Sequence, residues 1–394
     1  MSSYPDRPIY LDNQATTPCD PRVMEAMLPW FTEQFGNPHS AEHALGRQAE
    51  AAVEQARAQL AVLIGAEPRE LVFTSGATES NNIAIKGAAR HAVLAGDPRR
   101  RIVTVATEHK CVLESAADLR LDGFEPVVLP VQADGLLDPA ILDRALAVPT
   151  LLVSVMAVNN EIGVVQNLAA LAALARRAGA LFHTDAAQGA GKIPLDVGAL
   201  GIDLMSVSGH KIYAPKGIGA LYVRRRRPRV RLAPLFSGGG QERGLRPGTL
   251  PVPLIVGLGE AVRLAQAGMA GEAARLAALR DRFLTRLEAA LPDIVLNGSM
   301  AARIPGNLNL TFPAGRAADL MAALPNLCVS TGSACASADI EPSYVLRALG
   351  IPDEAAARTL RIGIGRFTSP ADIDFAAEAL ARAHAKLAPA KIEV

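Results

Sequence analysis

LFHTDAAQ (Leu181–Gln188) and LMSVSGHK (Leu204–Lys211) share one pattern: a short apolar run that stops on polar, chemistry-bearing residues. Near-continuous apolar runs of strand length are what a parallel sheet buried on both faces requires. Such a sheet binds ligands beyond the carboxyl ends of its strands. Outward from this pair the pattern repeats. ELVFT (Glu70–Thr74), RIVTVA (Arg101–Ala106), PTLLVSVMAV (Pro149–Val158) and IGALYV (Ile218–Val223) read as further strands, with Glu79–Arg90 and Leu168–Ala178 as crossover helices. Past about Val262 the texture changes. Leu276, Leu279, Phe283 and Leu287 form one helical stripe within Glu272–Leu291, and NLNLTF (Asn307–Phe312) alternates like a half-buried strand. Ser369, Pro370 and Asp372 supply a helix start ahead of Ile373, Ala376, Leu380 and Leu387. The expected fold is α/β: a large α/β domain followed by a smaller α+β domain.

Composition narrows the function classes. The 394 residues are 50% apolar and 20% charged, and 40 Lys+Arg against 39 Asp+Glu leave a formal charge of +1. That is globular composition, and bulk charge gives no reason to expect nucleic-acid binding. No apolar run nears the ~20 residues of a membrane span, and the N-terminus shows no hydrophobic leader. Four cysteines (Cys19, Cys111, Cys328, Cys335) form no CxxC pair. The expectation is a cytoplasmic protein with free thiols and no zinc.

The strand ends carry the chemistry. Ser75–Asn82 is a Gly-bearing turn opening a helix, where backbone N–H groups, the Thr78 hydroxyl and the helix dipole suit a phosphate, although the P-loop pattern is absent. Further ends read Thr107-Glu108-His109, Asn159-Asn160-Glu161, Asp185 to Gln188 and Ser208-Gly209-His210-Lys211. Each alone reads as a turn; their convergence on one rim reads as a site. Only seven residues are lysine, and Lys211 alone ends a strand one step after a strand-end aspartate. A lysine able to form a Schiff base, an aspartate able to pair with a pyridinium nitrogen, and a phosphate-holding helix start describe a pyridoxal-phosphate site. His109 reads as a ring stacked on the cofactor, against the alternative of a structural histidine. Cys335 lies among small residues in STGSACAS (Ser330–Ser337), whereas Cys328 beside Leu327 and Val329 reads as a buried thiol. Arg361 and Arg366 each suit either a carboxylate clamp or a surface ion pair.

At this point the chain resembles the cysteine desulfurases, class V aminotransferase-like enzymes of PLP fold type I, and within them the housekeeping iron–sulfur-cluster group. The resemblance runs from about Tyr10 to Phe367 through LDNQATTP (Leu11–Pro18), FGNPHS (Phe35–Ser40), FTSGATESNN (Phe73–Asn82), ATEHK (Ala106–Lys110), VNNEIGVVQ (Val158–Gln166), HTDAAQ (His183–Gln188), SGHKIYAPKGIGALY (Ser208–Tyr222), GGGQERGLRPGTL (Gly238–Leu250), STGSACASA (Ser330–Ala338) and EPSYVLRALG (Glu341–Gly350). It implies a large domain over residues 16–261 with a mainly parallel seven-stranded sheet. Residues 1–15 and 262–394 would form the small domain that carries the catalytic Cys loop.

The resemblance also implies roles, residue by residue. Ala77, Thr78 and Ser208 hold the phosphate together with His210 and a partner subunit's Thr249, and Gly209 is a further cofactor-binding residue. Asp185 pairs with the ring nitrogen, Gln188 and Asn160 address the ring hydroxyl side, and His109 stacks and serves acid–base steps. Lys211 carries the cofactor and Cys335 becomes the persulfide. Arg361 is the carboxylate clamp, with Asn37 and Asn160 as further substrate contacts. The reaction implied is L-cysteine to L-alanine in a homodimer that supplies sulfur to an iron–sulfur scaffold protein, a frataxin-like protein, ferredoxin or other acceptors. No resident metal is implied, with a transient role for Cys335 as a cluster ligand left open. The same-fold rival is a selenocysteine lyase or another class V lyase or aminotransferase; a non-catalytic partner-binding protein is the rival of a different class. Thr331 stands where members often have Ser, and APAKIEV (Ala388–Val394) is a shorter tail than those that dock the scaffold. RRRRPRVR (Arg224–Arg231) reads as a solvated loop or as a patch for acidic partners.

Overall fold

A computed structural model of the chain describes residues 7–332 and 342–387. Residues 1–6, 333–341 with Cys335, and 388–394 lie outside the described residues. After the short β1 (Ile9–Tyr10) come seven strands: β2 (Leu71–Thr74), β3 (Arg101–Val105), β4 (Glu125–Leu129), β5 (Thr150–Ser154), β6 (Leu181–Asp185), β7 (Leu204–Ser208) and β8 (Gly219–Val223). They form one sheet in the order β2-β8-β7-β6-β5-β3-β4. The strands expected from apolar runs are present, and β5, β7 and β8 are buried throughout. Two features differ from the sequence reading. First, β8 runs antiparallel to both neighbours. Burial on both faces does not encode direction, and the short link from Ser208 to Gly219 lacks the crossover helix that a parallel return needs. Second, β4 (EPVVL) went unread, because it is a part-exposed edge strand, where Pro126 is tolerated and no apolar run is demanded.

The helix expected over Glu272–Leu291 belongs to a single helix, Val252–Ala290. Its first half packs Ile255, Leu258, Ala261 and Val262 into the large core, and its second half packs Leu279, Phe283 and Leu287 into a separate small core. The two cores are therefore joined by a continuous rod, and position 261/262 lies inside it. In the small core β10 (Asn307–Thr311) lies between β9 (Val295–Leu296) and β12 (Thr359–Gly363), all antiparallel, while β11 (Leu327–Cys328) pairs parallel with β1. The alternation of β10 is real, yet the strand is fully buried rather than half-buried. Leu308 and Leu310 face the small core, and the amides of Asn307 and Asn309 donate to the Glu161 carbonyl of the large domain at 3.2 and 3.4 Å.

The helix Pro370–Leu387 starts with the expected capping residues: Ser369 N–H donates to Asp372 Oδ2 (2.9 Å), and Asp372 N–H donates to Ser369 Oγ (3.1 Å). Ile373, Ala376 and Leu380 are buried, but Leu387, at the helix end, is 38% exposed. Among the described residues no helix is long and apolar enough to cross a membrane.

Candidate active site

The carboxyl ends of β2, β3, β6 and β7 open on one cavity of about 550 Å³. At its first wall, Gly76 turns the chain from β2 into the helix Ala77–Leu94 with a φ of 153°, a conformation that favours glycine. Gly219 at the start of β8 passes so close that a Cβ there would lie 2.6 Å from the Gly76 Cα. The helix start is thereby laid beside Ser208, and its first N–H groups have no intrahelical partner, an arrangement that suits an anion. Glu79 would oppose an anion, but it is occupied: its carboxylate accepts from Ser75 N–H (2.6 Å) and Arg246 Nε (2.8 Å).

Lys211 lies in the turn Gly209–Lys211 after β7, and its Nζ donates to the carbonyls of Gln14 and of Ala15, the latter at 2.7 Å. That turn is held under strain. Tyr213 has a φ of 65°, its N–H donates to Thr17 Oγ1 (2.9 Å), and the Arg366 guanidinium covers its ring at 4.2 Å. Arg366 also pairs with Asp20 (3.0 Å) and Glu272 (2.8 Å), which ties the start of the chain to the long helix Val252–Ala290. The other candidate, Arg361 on β12, lines the cavity. It is 2% exposed, pairs with Asp12 at 2.7 Å, and donates from Nη1 to the Asn160 carbonyl at 3.0 Å and to that of Gly332 at 3.4 Å.

Opposite, Asp185 ends β6. Its Oδ2 accepts from Asn81 Nδ2 (2.7 Å) and its Oδ1 from Ala187 N–H (2.8 Å). Gln188 Nε2 donates to the Gln14 carbonyl (2.8 Å), and its Oε1 accepts from Lys192 Nζ (3.2 Å). Burial pushes the Lys192 ammonium down to about 7, with the Lys211 charge adding to it. Burial and the same charge hold His210 down at about 4, so its ring is neutral at physiological pH. Glu108, wholly buried behind His109, is pushed well above the usual carboxylate range by burial and then by Asp185.

Ala77, Thr78, His109, Asn160, Asp185, Gln188, Ser208, His210, Lys211 and Arg361 therefore line one cavity. Others do not. Gly209 sits beneath the wall, where a Cβ would meet Ile218 and Ala214. Asn37 is exposed, and its Oδ1 accepts from His39 N–H (3.0 Å), capping a turn away from this cavity. Thr249 lines a neighbouring, more open cavity shared with Ser75, Thr78 and Arg246. The loop before it is pinned by Glu242 and Arg243, both with positive φ (46° and 58°), with Glu242 buried on Arg57 at 2.7 Å. Sequence reasoning left Gln14, Ala15, Asn81 and Cys111 without roles. Asn81 had a usable signal, since it lies three and four residues beyond Thr78 and Ala77 and so on their helical face.

The residues fit pyridoxal phosphate. Buried polar atoms in folded proteins are nearly always paired. Here Asn160 Oδ1 and Arg361 Nε in the wall, and Asn81 Oδ1 beneath it, have no hydrogen-bond partner among the described residues. Those atoms mark space for a polar guest, with an anion site at one wall, a carboxylate at another and an amine between.

A family model described as Aminotransferase class-V matches residues 9–375. The chain is 53% identical over 374 residues to cysteine desulfurase IscS of Rickettsia felis, covering 95% of this chain and 90% of that one. It is 55% identical over 375 residues to a mitochondrial cysteine desulfurase of Arthroderma benhamiae, covering 95% and 74%. A solved NifS-like protein from Rickettsia africae matches with a TM-score of 0.85 at 31% identity, over 96% of this chain and 99% of that one.

Proposed function

The chain belongs to the aminotransferase class-V family, and on that premise we propose that it is a pyridoxal-phosphate-dependent cysteine desulfurase that leaves sulfur as a persulfide on Cys335. The observation that carries the reading is one cavity uniting Lys211, Asp185, the anion-holding helix start and Arg361. When bound, pyridoxal phosphate supplies an electron sink for the charge left when the substrate Cα loses its proton. Ala77, Thr78, Ser208 and His210 hold the phosphate, joined by the partner subunit's Thr249 in a homodimer. Asp185 would pair with the ring nitrogen, Gln188 and Asn160 would address the ring hydroxyl side, and His109 would stack on the ring. Lys211 would hold the cofactor and, as a free amine, would take the substrate Cα proton. Arg361 would offer the substrate carboxylate its Nε, which has no partner among the described residues, and its long Nη1 contact.

Cys335 completes the balance as a thiolate. Its sulfur bonds to the substrate sulfur as the substrate Cβ–S bond breaks. Cβ takes up the proton that the Cys335 thiol gave up, Cα regains its own, and alanine leaves. Alanine formation against cysteine concentration tests the whole reading. Arg361→Gln is expected to raise KM about 10–100-fold, the cost of a charged hydrogen bond, with kcat changing less. Production of alanine from selenocysteine but not from cysteine would overturn the desulfurase reading.

The proposal extends to a cytoplasmic role delivering sulfur to an iron–sulfur scaffold, a frataxin-like protein or ferredoxin. Within Arg224–Arg231, Arg224 pairs with Asp203 (2.8 Å) and Arg226 with Glu70 (3.5 Å). Arg225, Arg229 and Arg231 line a pocket with Arg69 and Arg243, where arginines outnumber the carboxylates Glu70 and Glu242. Such clustering speeds capture of acidic proteins and weakens with salt over a Debye length of ~8–10 Å. Reversing Arg225 and Arg227 to Glu is expected to weaken binding of an acidic partner of this kind. Cysteine turnover with a small-molecule reductant should stay unchanged. Equal partner affinity at low salt would identify the run as a solvated loop.

A further inference from the structure

Among the described cysteines, Cys111 is the one in the cavity wall, and nothing above uses it. Its surroundings form a chain of hydrogen bonds. Asn81 Nδ2 carries two N–H groups: one donates to Asp185 Oδ2 at 2.7 Å, the other to Cys111 Sγ at 3.2 Å. Cys111 Sγ in turn lies 3.1 Å from His109 Nδ1. That nitrogen already accepts the Cys111 backbone N–H at 3.2 Å, as the cap of the helix Lys110–Asp118. A ring nitrogen that accepts a backbone N–H carries no proton in the neutral imidazole, so the hydrogen between sulfur and ring belongs to sulfur. The ring proton is then on Nε2.

We propose that Cys111 is a positioning residue: its thiol joins Asp185, through Asn81, to His109 and locks the imidazole with Nδ1 inward and Nε2–H toward the cavity. The inference rests on the reading that Asp185 and His109 face the bound cofactor. It also explains why a second thiol in this cavity does not compete for sulfur. Burial, reinforced by the Asp185 charge, pushes the Cys111 thiol up to about 12, so at neutral pH it stays protonated, a donor and not a nucleophile.

Two variants of the holoenzyme separate the possibilities. Cys111→Ala removes the link, whereas Cys111→Ser keeps both a donor and an acceptor. Cys111→Ala is expected to shift the visible maximum of the bound cofactor and to raise the cofactor dissociation constant by roughly 3–10-fold. It should lower kcat by a similar factor with KM for cysteine unchanged, the scale of one lost hydrogen bond. Cys111→Ser is expected to restore the spectrum, cofactor affinity and kcat. Equal impairment of both variants, or an Ala variant identical to wild type, would overturn the link. In a Cys335→Ser background fed labelled cysteine, mass spectrometry is expected to find no persulfide on Cys111; finding one would overturn the positioning role. Wild-type protein lacking a visible band would sink the reading of the site itself, a result distinct from any of these.

Discussion

Lys211→Ala is expected to purify without the visible absorbance of a covalently held cofactor and to lose alanine formation by roughly 10²–10⁴-fold, the scale of one positioned acid–base group. The structure gives two reasons why no other lysine substitutes. Lys216 lines the same cavity, but it lies in the Pro-Lys-Gly turn beyond the strained Tyr213, whereas Lys211 closes the turn Gly209–Lys211 that directly follows β7. Lys192 reaches Gln188 from behind and is spent on its carboxamide oxygen. Lys211 is poised differently, with Nζ against the carbonyls of Gln14 and Ala15. Those contacts hold the amine in the cavity wall. Borohydride reduction followed by peptide mapping checks the assignment, and a cofactor trapped on Lys192 or Lys216 would overturn it.

Much of this was legible because buried parallel strands and their ends write themselves locally. The apolar runs of β3, β5, β6 and β7 have few other uses, and polar residues just beyond them cannot extend the same buried run. Lys211 and Asp185 were found by that logic. What stayed hidden depends on contacts between distant parts of the chain. Gln14 and Ala15 offer only backbone carbonyls to Lys211, and a carbonyl has no sequence signature. Tyr213 has a positive φ that nothing in GHKIYAP announces, because Thr17, Asp20 and Arg366 enforce it from far along the chain. Arg361 and Arg366 looked alike in sequence and are separated by their placement: Arg361 lines the cavity while paired with Asp12, and Arg366 pairs with Asp20 and Glu272 outside it. The polar face of β10 could not be read as buried, since the Glu161 carbonyl that covers it lies 146 residues away along the chain. Thr249 and Asn37 stand outside the cavity of this chain, and the proposed homodimer is where a role for Thr249 would have to arise.

Cys335→Ser is expected to keep the visible band and its spectral response to added cysteine while losing alanine formation by roughly 10³-fold or more, as removal of a nucleophile does. Cys335 lies outside the described residues, so the prediction is carried by the other thiols, each of which has a physical reason not to replace it. Cys111 is held protonated by burial and by Asp185, and its hydrogen is directed at His109. Cys19 is raised by burial and by the adjacent Asp20, and it packs against the large core instead of lining the cavity. Cys328 is fixed in β11, where its carbonyl accepts Leu11 N–H at 2.9 Å, and it too is absent from the cavity wall. A sulfur carrier must ionise near neutral pH and reach the reacting sulfur, and none of these three meets both requirements. A single turnover with cysteine, followed by quantifying alanine and mapping persulfide by mass spectrometry, separates binding from sulfur transfer. Alanine at the wild-type rate from the variant would remove Cys335 from the mechanism and make Cys328→Ser the next variant to measure.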